Sequence, residues 1–156
     1  MPNWNQGYFE PKHPEKYVGK TPIKYRSAWE LTFMNVCDNH PNIVQWASES
    51  IQINYVNPLT GKNTIYVPDF FVVYVDKYGK QHGELIEIKP SKETVLEKAK
   101  SKKDKYAVAL NTAKWEAAQK WCQKNGIKFR VMTEEHLYQN SQAPKLSKSP
   151  GRKKKK

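Results

Sequence analysis

Apolar and β-branched residues fill two runs, Tyr66–Val75 and Gly83–Ile88, separated by Asp76, Lys77, Tyr78, Gly79 and Lys80. The polar break with its single glycine predicts a hairpin of two strands, the first opened by Thr64. Strand side chains alternate between faces, so Leu85, Glu87 and Lys89 share one face of the second strand while Ile86 and Ile88 anchor the other. In the first strand Asp69 falls in phase with Val67, Phe71 and Val73. A carboxylate in so apolar a run is costly to bury unless something neutralises it, and a cation shared by Asp69 and Glu87 would do so. Pro68 removes a backbone donor, which predicts an edge or a bulge where Asp69 sits.

Other stretches follow helical or extended periods. Trp29, Phe33, Val36 and Cys37 recur on one helical face after Ser27, and Pro41 ends that helix. Ser27 with Glu30 fits a capping box, in which Glu30 reaches back to the Ser27 amide. The competing reading turns Glu30 toward Asp69, and the local pattern alone favours the cap. Ile43–Ala47 and Ile51–Val56 are strand candidates, and Asn57–Asn63 is a loop by composition. Beyond Pro90, Ser91 is placed to cap a lysine-rich helix starting near Lys92. Tyr106, Leu110, Ala113, Ala117 and Trp121 continue the helical spacing, with Asn111 and Thr112 as the start of a possible second helix. Trp115 and Trp121 are read as core rather than base-stacking residues. Asn125 and Gly126 stop the helix, Ile127–Met132 alternates as a strand, and Thr133–His136 opens a last short helix. This order predicts an α/β fold with a mixed β-sheet flanked by helices.

Composition narrows the partners. The 27 basic against 15 acidic residues give +12. Seven of the positive charges lie in residues 140–156, which have no acidic residue, so the remainder still carries +5. A basic body suits a polyanion such as DNA. The Ser-, Pro- and Lys-rich tail, ending in Arg152, Lys153, Lys154, Lys155 and Lys156, cannot bury a core and is expected to be disordered. It would add salt-sensitive DNA affinity. Residues 1–24 hold Pro2, Pro11, Pro14 and Pro22 and read as an arm over a domain at 25–139, anchored by Trp4, Tyr8, Phe9 and Tyr17. Cys37 and Cys122 lack metal-ligand spacing and are read as reduced core residues. No apolar run is long enough to span a membrane and no signal peptide is evident, so a soluble intracellular protein is expected. His82, Glu84 and His136 are not expected to take part in chemistry.

Phosphodiester hydrolysis needs a nucleophilic water, neutralisation of charge on the phosphate oxygens and help for the leaving oxygen. Hard divalent cations supply these and prefer oxygen ligands. Asp69, Glu87 and the intervening Ile88 carbonyl would hold one, with Lys89 orienting water or offsetting developing charge. Without metal the two carboxylates should repel and titrate high. The bland alternative is a solvated cross-strand ion pair.

Pro68-Asp69 with Glu87-Ile88-Lys89 resembles the PD-(D/E)xK, restriction-endonuclease-like superfamily. Tyr25–Glu30, Tyr66–Phe70, Ile86–Pro90 and the stretch from Lys114-Trp115 to Thr133-Glu134 further resemble the head-completion nucleases of contractile-tailed phages and the N-terminal domain of a transposase endonuclease subunit. The likeness spans about residues 20–138. It implies a restriction-endonuclease-like core, Glu30, Asp69, Glu87 and Lys89 in the active site, and Mg2+ as cofactor, with Mn2+ able to substitute. It also moves Glu30 from cap to site. Arg26 and Ser27, beside Glu30, are read as contacts to the DNA phosphates or to the site's own residues, although capping accounts for Ser27 without a ligand. The activity implied is metal-dependent DNA cleavage in phage head completion, in the host cytoplasm or with the virion, among phage head or portal proteins. The alternative is a head-completion protein that binds DNA ends or the portal without turnover.

Overall fold

The computed structural model describes residues 6–91, 94 and 100–136. Along the chain run β1 (Gly7–Phe9), a 3-10 turn (Pro14–Lys16), β2 (Ile23–Tyr25), α1 (Ala28–Asn39), β3 (Ile43–Ser48), β4 (Ile53–Val56), β5 (Asn63–Tyr66), β6 (Phe70–Val75), β7 (Gln81–Ile88), α2 (Lys102–Asn125) and β8 (Lys128–Met132). A mixed sheet in the order β3-β6-β7-β8 forms the centre, while β1-β2 and β4-β5 make two-stranded ribbons. Among the described strands all pairings are antiparallel except β7 with β8. That parallel pair needs a crossover, which α2 supplies.

The hairpin forms as the alternation predicts. Phe70 pairs with Ile86 and Val75 with Gln81, and Gly79 takes a left-handed φ of 82° in the turn. Ile86 and Ile88 join Phe70, Val72, Phe33, Met34 and Cys37 in one buried cluster. Leu85 instead packs with Ile53, Tyr66, Ala118 and Cys122 on the opposite side. The sheet is thus covered by α1 on one face and α2 on the other.

Three features depart from the sequence reading. First, the strand opened near Thr64 does not carry Asp69. It ends at Tyr66, and a new strand starts at Phe70, so Asp69 stands in the gap rather than on an edge or in a bulge. The two pieces serve different sheets, β5 pairing with β4 and β6 with β3 and β7. Second, α2 begins at Lys102 with Ser101 as its cap, the Ser101 hydroxyl accepting the Asp104 N–H, and it runs unbroken past Asn111. The start near Lys92 lies outside the described residues. Ser91 meets Glu134 instead, giving its amide and hydroxyl to the carboxylate at 3.0 Å each. Third, the buried stripe of α2 is Val108, Asn111, Ala118 and Cys122, while Tyr106 is exposed. The period is right but the phase moves: Ala118 and Cys122 are the buried positions, and Trp115 and Trp121, read as core, pack partly buried against the same cluster.

The arm packs through particular residues. Phe9 and Ile23 enter the core, Tyr17 lies edge-on to Trp46 at 4.7 Å, and Tyr8 remains exposed. Buried Asp38 at the end of α1 accepts the amides of Lys12 and His13 and so ties the arm down. Trp4 and the tail, including Arg152, Lys153, Lys154, Lys155 and Lys156, lie outside the described residues. Cys37 and Cys122 are buried free thiols, and burial pushes Cys122 up to about 11. Among the described residues no helix is long and apolar enough to cross a membrane.

Candidate active site

Asp69 and Glu87 meet where β6 begins and β7 ends. The Asp69 Oδ2 accepts the Ile88 N–H at 2.8 Å, and its backbone carbonyl accepts the Glu49 N–H at 2.9 Å. The β6–β7 ladder ends with Phe70 opposite Ile86, and Asp69 and Glu87 are the next residue of each chain beyond it. Glu87 is 5% exposed. Its Oε1 accepts the Tyr66 hydroxyl at 2.8 Å, and its Oε2 lies 3.7 Å from Lys89 Nζ.

Burial shapes the electrostatics. It pushes Asp69 well above the usual carboxylate range; the charge of Glu87 and, more weakly, of Glu30 adds to the rise, and the Ile88 N–H and Lys89 oppose it. Burial also raises Glu87, against the pull of Lys89, the Tyr66 hydroxyl and Lys114. Desolvation therefore outweighs mutual repulsion as the reason these groups resist ionising. Two buried carboxylates within electrostatic reach of each other offer hard oxygen donors of the kind a small divalent cation prefers, with Lys89 and Lys114 as the nearby positive charges.

Glu30 serves the helix start, in a way the capping box does not anticipate. The Ser27 hydroxyl accepts the Glu30 N–H at 3.1 Å, while the Glu30 Oε1 accepts the N–H of Arg26, not of Ser27, at 2.9 Å. Burial raises Glu30 too, and the nearby Glu49 carboxylate reinforces this while Arg26 and Lys89 oppose it. Glu30 thus lies within electrostatic reach of Asp69 and Lys89 while its hydrogen bond goes to Arg26. No group of three or more His, Cys, Asp or Glu side chains stands ready to hold a metal ion among the described residues. The Arg26 guanidinium is engaged by Glu49, Nε to Oε2 at 3.1 Å and Nη2 to Oε1 at 3.3 Å.

Three neighbours have no role in the site as read from the sequence. Tyr66 ends β5, and its phenol is pushed far up by burial and by Glu87, so it stays a hydrogen-bond donor. Lys114 of α2 sits with its Nζ 5.6 Å from the Tyr66 ring centroid. Burial and Lys89 lower its affinity for a proton, while Glu87 and Asp69 raise it. Glu49 occupies a left-handed φ of 51°, rare for a residue with a side chain. That φ has no spacing signature, and the contacts of Tyr66 and Lys114 depend on tertiary packing.

The remaining titratable residues lie elsewhere. Glu84 is buried, paired with Arg130 at 3.1 Å and accepting the Tyr74 hydroxyl. His82 pairs with Asp76 at 2.8 Å and stacks on Tyr74. His136 contacts Thr133.

Comparisons with known proteins identify the family. The family described as TnsA-like endonuclease N terminal matches residues 40–134, which include Asp69, Glu87, Lys89 and Lys114 but not Glu30. The "Head completion nuclease" of Enterobacteria phage T4 is 37% identical over 142 residues, covering 84% of this chain and 92% of that protein. The mixed sheet flanked by helices is the restriction-endonuclease-like architecture of that family. On both counts, the chain belongs to the TnsA-like endonuclease family.

Proposed function

We propose that this endonuclease-family protein hydrolyses DNA phosphodiester bonds with Mg2+, as a PD-(D/E)xK-type nuclease, and works on DNA in phage head completion. The carrying observation is the meeting of Asp69 and Glu87 at the Pro68 gap, with both carboxylates shifted upward and Lys89 Nζ at 3.7 Å from Glu87.

The backbone supports the same reading. Ile88 gives its N–H to the Asp69 side chain, so that N–H points toward β6. In an antiparallel pair a residue's N–H and C=O face the same neighbour. Continued two steps past the Phe70–Ile86 pair, the same register would turn the Ile88 carbonyl toward Pro68, which has no N–H to give it. Asp69, Glu87 and this carbonyl would hold the ion, with Glu30 completing the acidic set. Bound there, Mg2+ (or Mn2+) supplies Lewis-acid stabilisation and lowers the pKa of a bound water. Lys89 orients the attacking water and offsets charge growing on the phosphate oxygens. Lys114 adds a second ammonium to the same corner.

Arg26 and Ser27, at the mouth of α1, would contact the DNA backbone, Arg26 by exchanging Glu49 for a phosphate. The basic run Arg152, Lys153, Lys154, Lys155 and Lys156 adds affinity independent of sequence. Kinship with a head completion nuclease points to phage head or portal proteins as partners, and to the host cytoplasm and assembling virion as the place of action.

Supercoiled plasmid incubated with the protein and Mg2+ tests the reading. Nicked or linear product is expected from the parent, and none from Asp69→Ala or Lys89→Ala. Equal cleavage by all three would end it. If Asp69→Ala still completed viable heads, the role would be structural rather than catalytic.

A further inference from the structure

We infer that Tyr66 is a positioning residue for the cation site: its hydroxyl pins one oxygen of Glu87 and leaves the other to face the ion. The inference rests on the metal-dependent reading above. Tyr66 and Asp69 flank the gap between β5 and β6, and both reach across to β7. Asp69 takes the Ile88 amide at 2.8 Å, and Tyr66 donates to Glu87 Oε1 at 2.8 Å. Glu87 Oε2 is left on the side of Lys89, 3.7 Å away. The Tyr66 ring is itself fixed, being 3% exposed and covered by Lys114 Nζ at 5.6 Å from its centroid.

A glutamate with both oxygens free can grip a cation with either or both. A cation such as Ca2+ accepts two-oxygen carboxylate binding and irregular coordination, whereas Mg2+ and Mn2+ favour near-octahedral sets. By taking one lone pair of Oε1, Tyr66 fixes the direction of the carboxylate and weakens Oε1 relative to Oε2 as a donor to the ion. Outer partners that orient a ligand in this way typically contribute 10–100-fold in metal affinity. Tyr66 therefore favours Mn2+ and Mg2+ over Ca2+ as well as strengthening the site.

Titration calorimetry with Mn2+ and with Ca2+, on the parent, Tyr66→Phe and Glu87→Gln, tests this without measuring cleavage. Tyr66→Phe keeps the ring and removes only the hydroxyl. About tenfold weaker Mn2+ binding is expected, with Ca2+ binding weakened less, so that the Mn2+/Ca2+ preference falls. Unchanged affinity and preference in Tyr66→Phe, with the parent binding and Glu87→Gln not, would overturn the inference and leave the metal site standing. Failure of the parent to bind Mn2+ would overturn both. Should Tyr66→Phe not fold, 3-fluorotyrosine at position 66 offers a second route. Its fluorine resonance should shift on Mg2+ addition in the parent and not in Glu87→Gln, and an unmoved signal in an Mg2+-saturated parent would count against the inference.

Discussion

The side chain of Asp69, not a backbone carbonyl, accepts the N–H of Ile88, at 2.8 Å. This one bond fixes a carboxylate at the end of β7, next to Glu87, where Pro68 has taken a donor out of the ladder. It is also costly, because burial and the neighbouring charge push Asp69 well above its ordinary range. Sites that concentrate charge for function often give up stability in this way.

The first prediction follows from that shift. A carboxylate whose folded pKa lies above its unfolded value adds stability that is fully present below the unfolded pKa. That stability is lost as pH rises through the folded pKa. Both Asp69 and Glu87 are raised, so the metal-free protein should lose stability relative to Asp69→Asn as pH climbs from about 4, the unperturbed range, toward neutrality. Thermal melts of the two proteins should diverge over that window, with Asp69→Asn the more stable at pH 8. About 2–4 °C in Tm is expected for each kcal/mol. Saturating Mg2+ should stabilise the parent and not the variant, while parallel melts at every pH would contradict the prediction.

Glu30 has two roles that one pair of substitutions separates. Glu30→Gln keeps an oxygen for the Arg26 N–H but removes the charge; Glu30→Ala removes both. Tm should stay within about a degree of the parent in Glu30→Gln and fall in Glu30→Ala, by an amount matching the ~1 kcal/mol of a helix cap. Cleavage should fall at least tenfold in both. Full activity in Glu30→Gln would confine Glu30 to capping.

How much of this was readable from sequence differs residue by residue. The faces of β7 were legible because strand side chains alternate, which sets Leu85 and Glu87 apart from Ile86 and Ile88, although the fold buries both faces. The start of α1 at Ser27 was legible for the same local reason. The gap at 67–69 was not, since Pro68 is equally compatible with an edge, a bulge or a break. Which one forms depends on β4 drawing β5 into a separate ribbon. The Glu30 target shifted by one amide, from Ser27 to Arg26, a choice that the motif does not encode. Tyr66 and Lys114 meet Glu87 only through the packing of α2 and β5 against β7, which no local period records.

Lys89 should matter to chemistry more than to folding, as it is partly exposed and only 3.7 Å from Glu87 Oε2. Lys89→Ala is expected to cut the cleavage rate by about 100-fold or more, in the range found for lost electrostatic stabilisers of a transition state. DNA affinity in calcium, measured by fluorescence anisotropy, should change less than tenfold. A loss seen entirely in affinity would recast Lys89 as a phosphate anchor.

Removing residues 140–156 takes away seven positive charges. Log affinity for duplex DNA should then fall less steeply with log salt, by up to about 0.9 for each phosphate that the tail neutralises. Cleavage at saturating DNA should be retained. An unchanged salt slope would place the tail away from DNA.

The most direct test of the account is a crystal soaked in Mn2+ and measured for anomalous scattering. The predicted result is a single strong peak between Asp69 and Glu87, at about 2.0–2.3 Å from a carboxylate oxygen of each, that vanishes in Asp69→Ala. A fully soaked crystal with no peak there, or with the ion bound elsewhere, would contradict it.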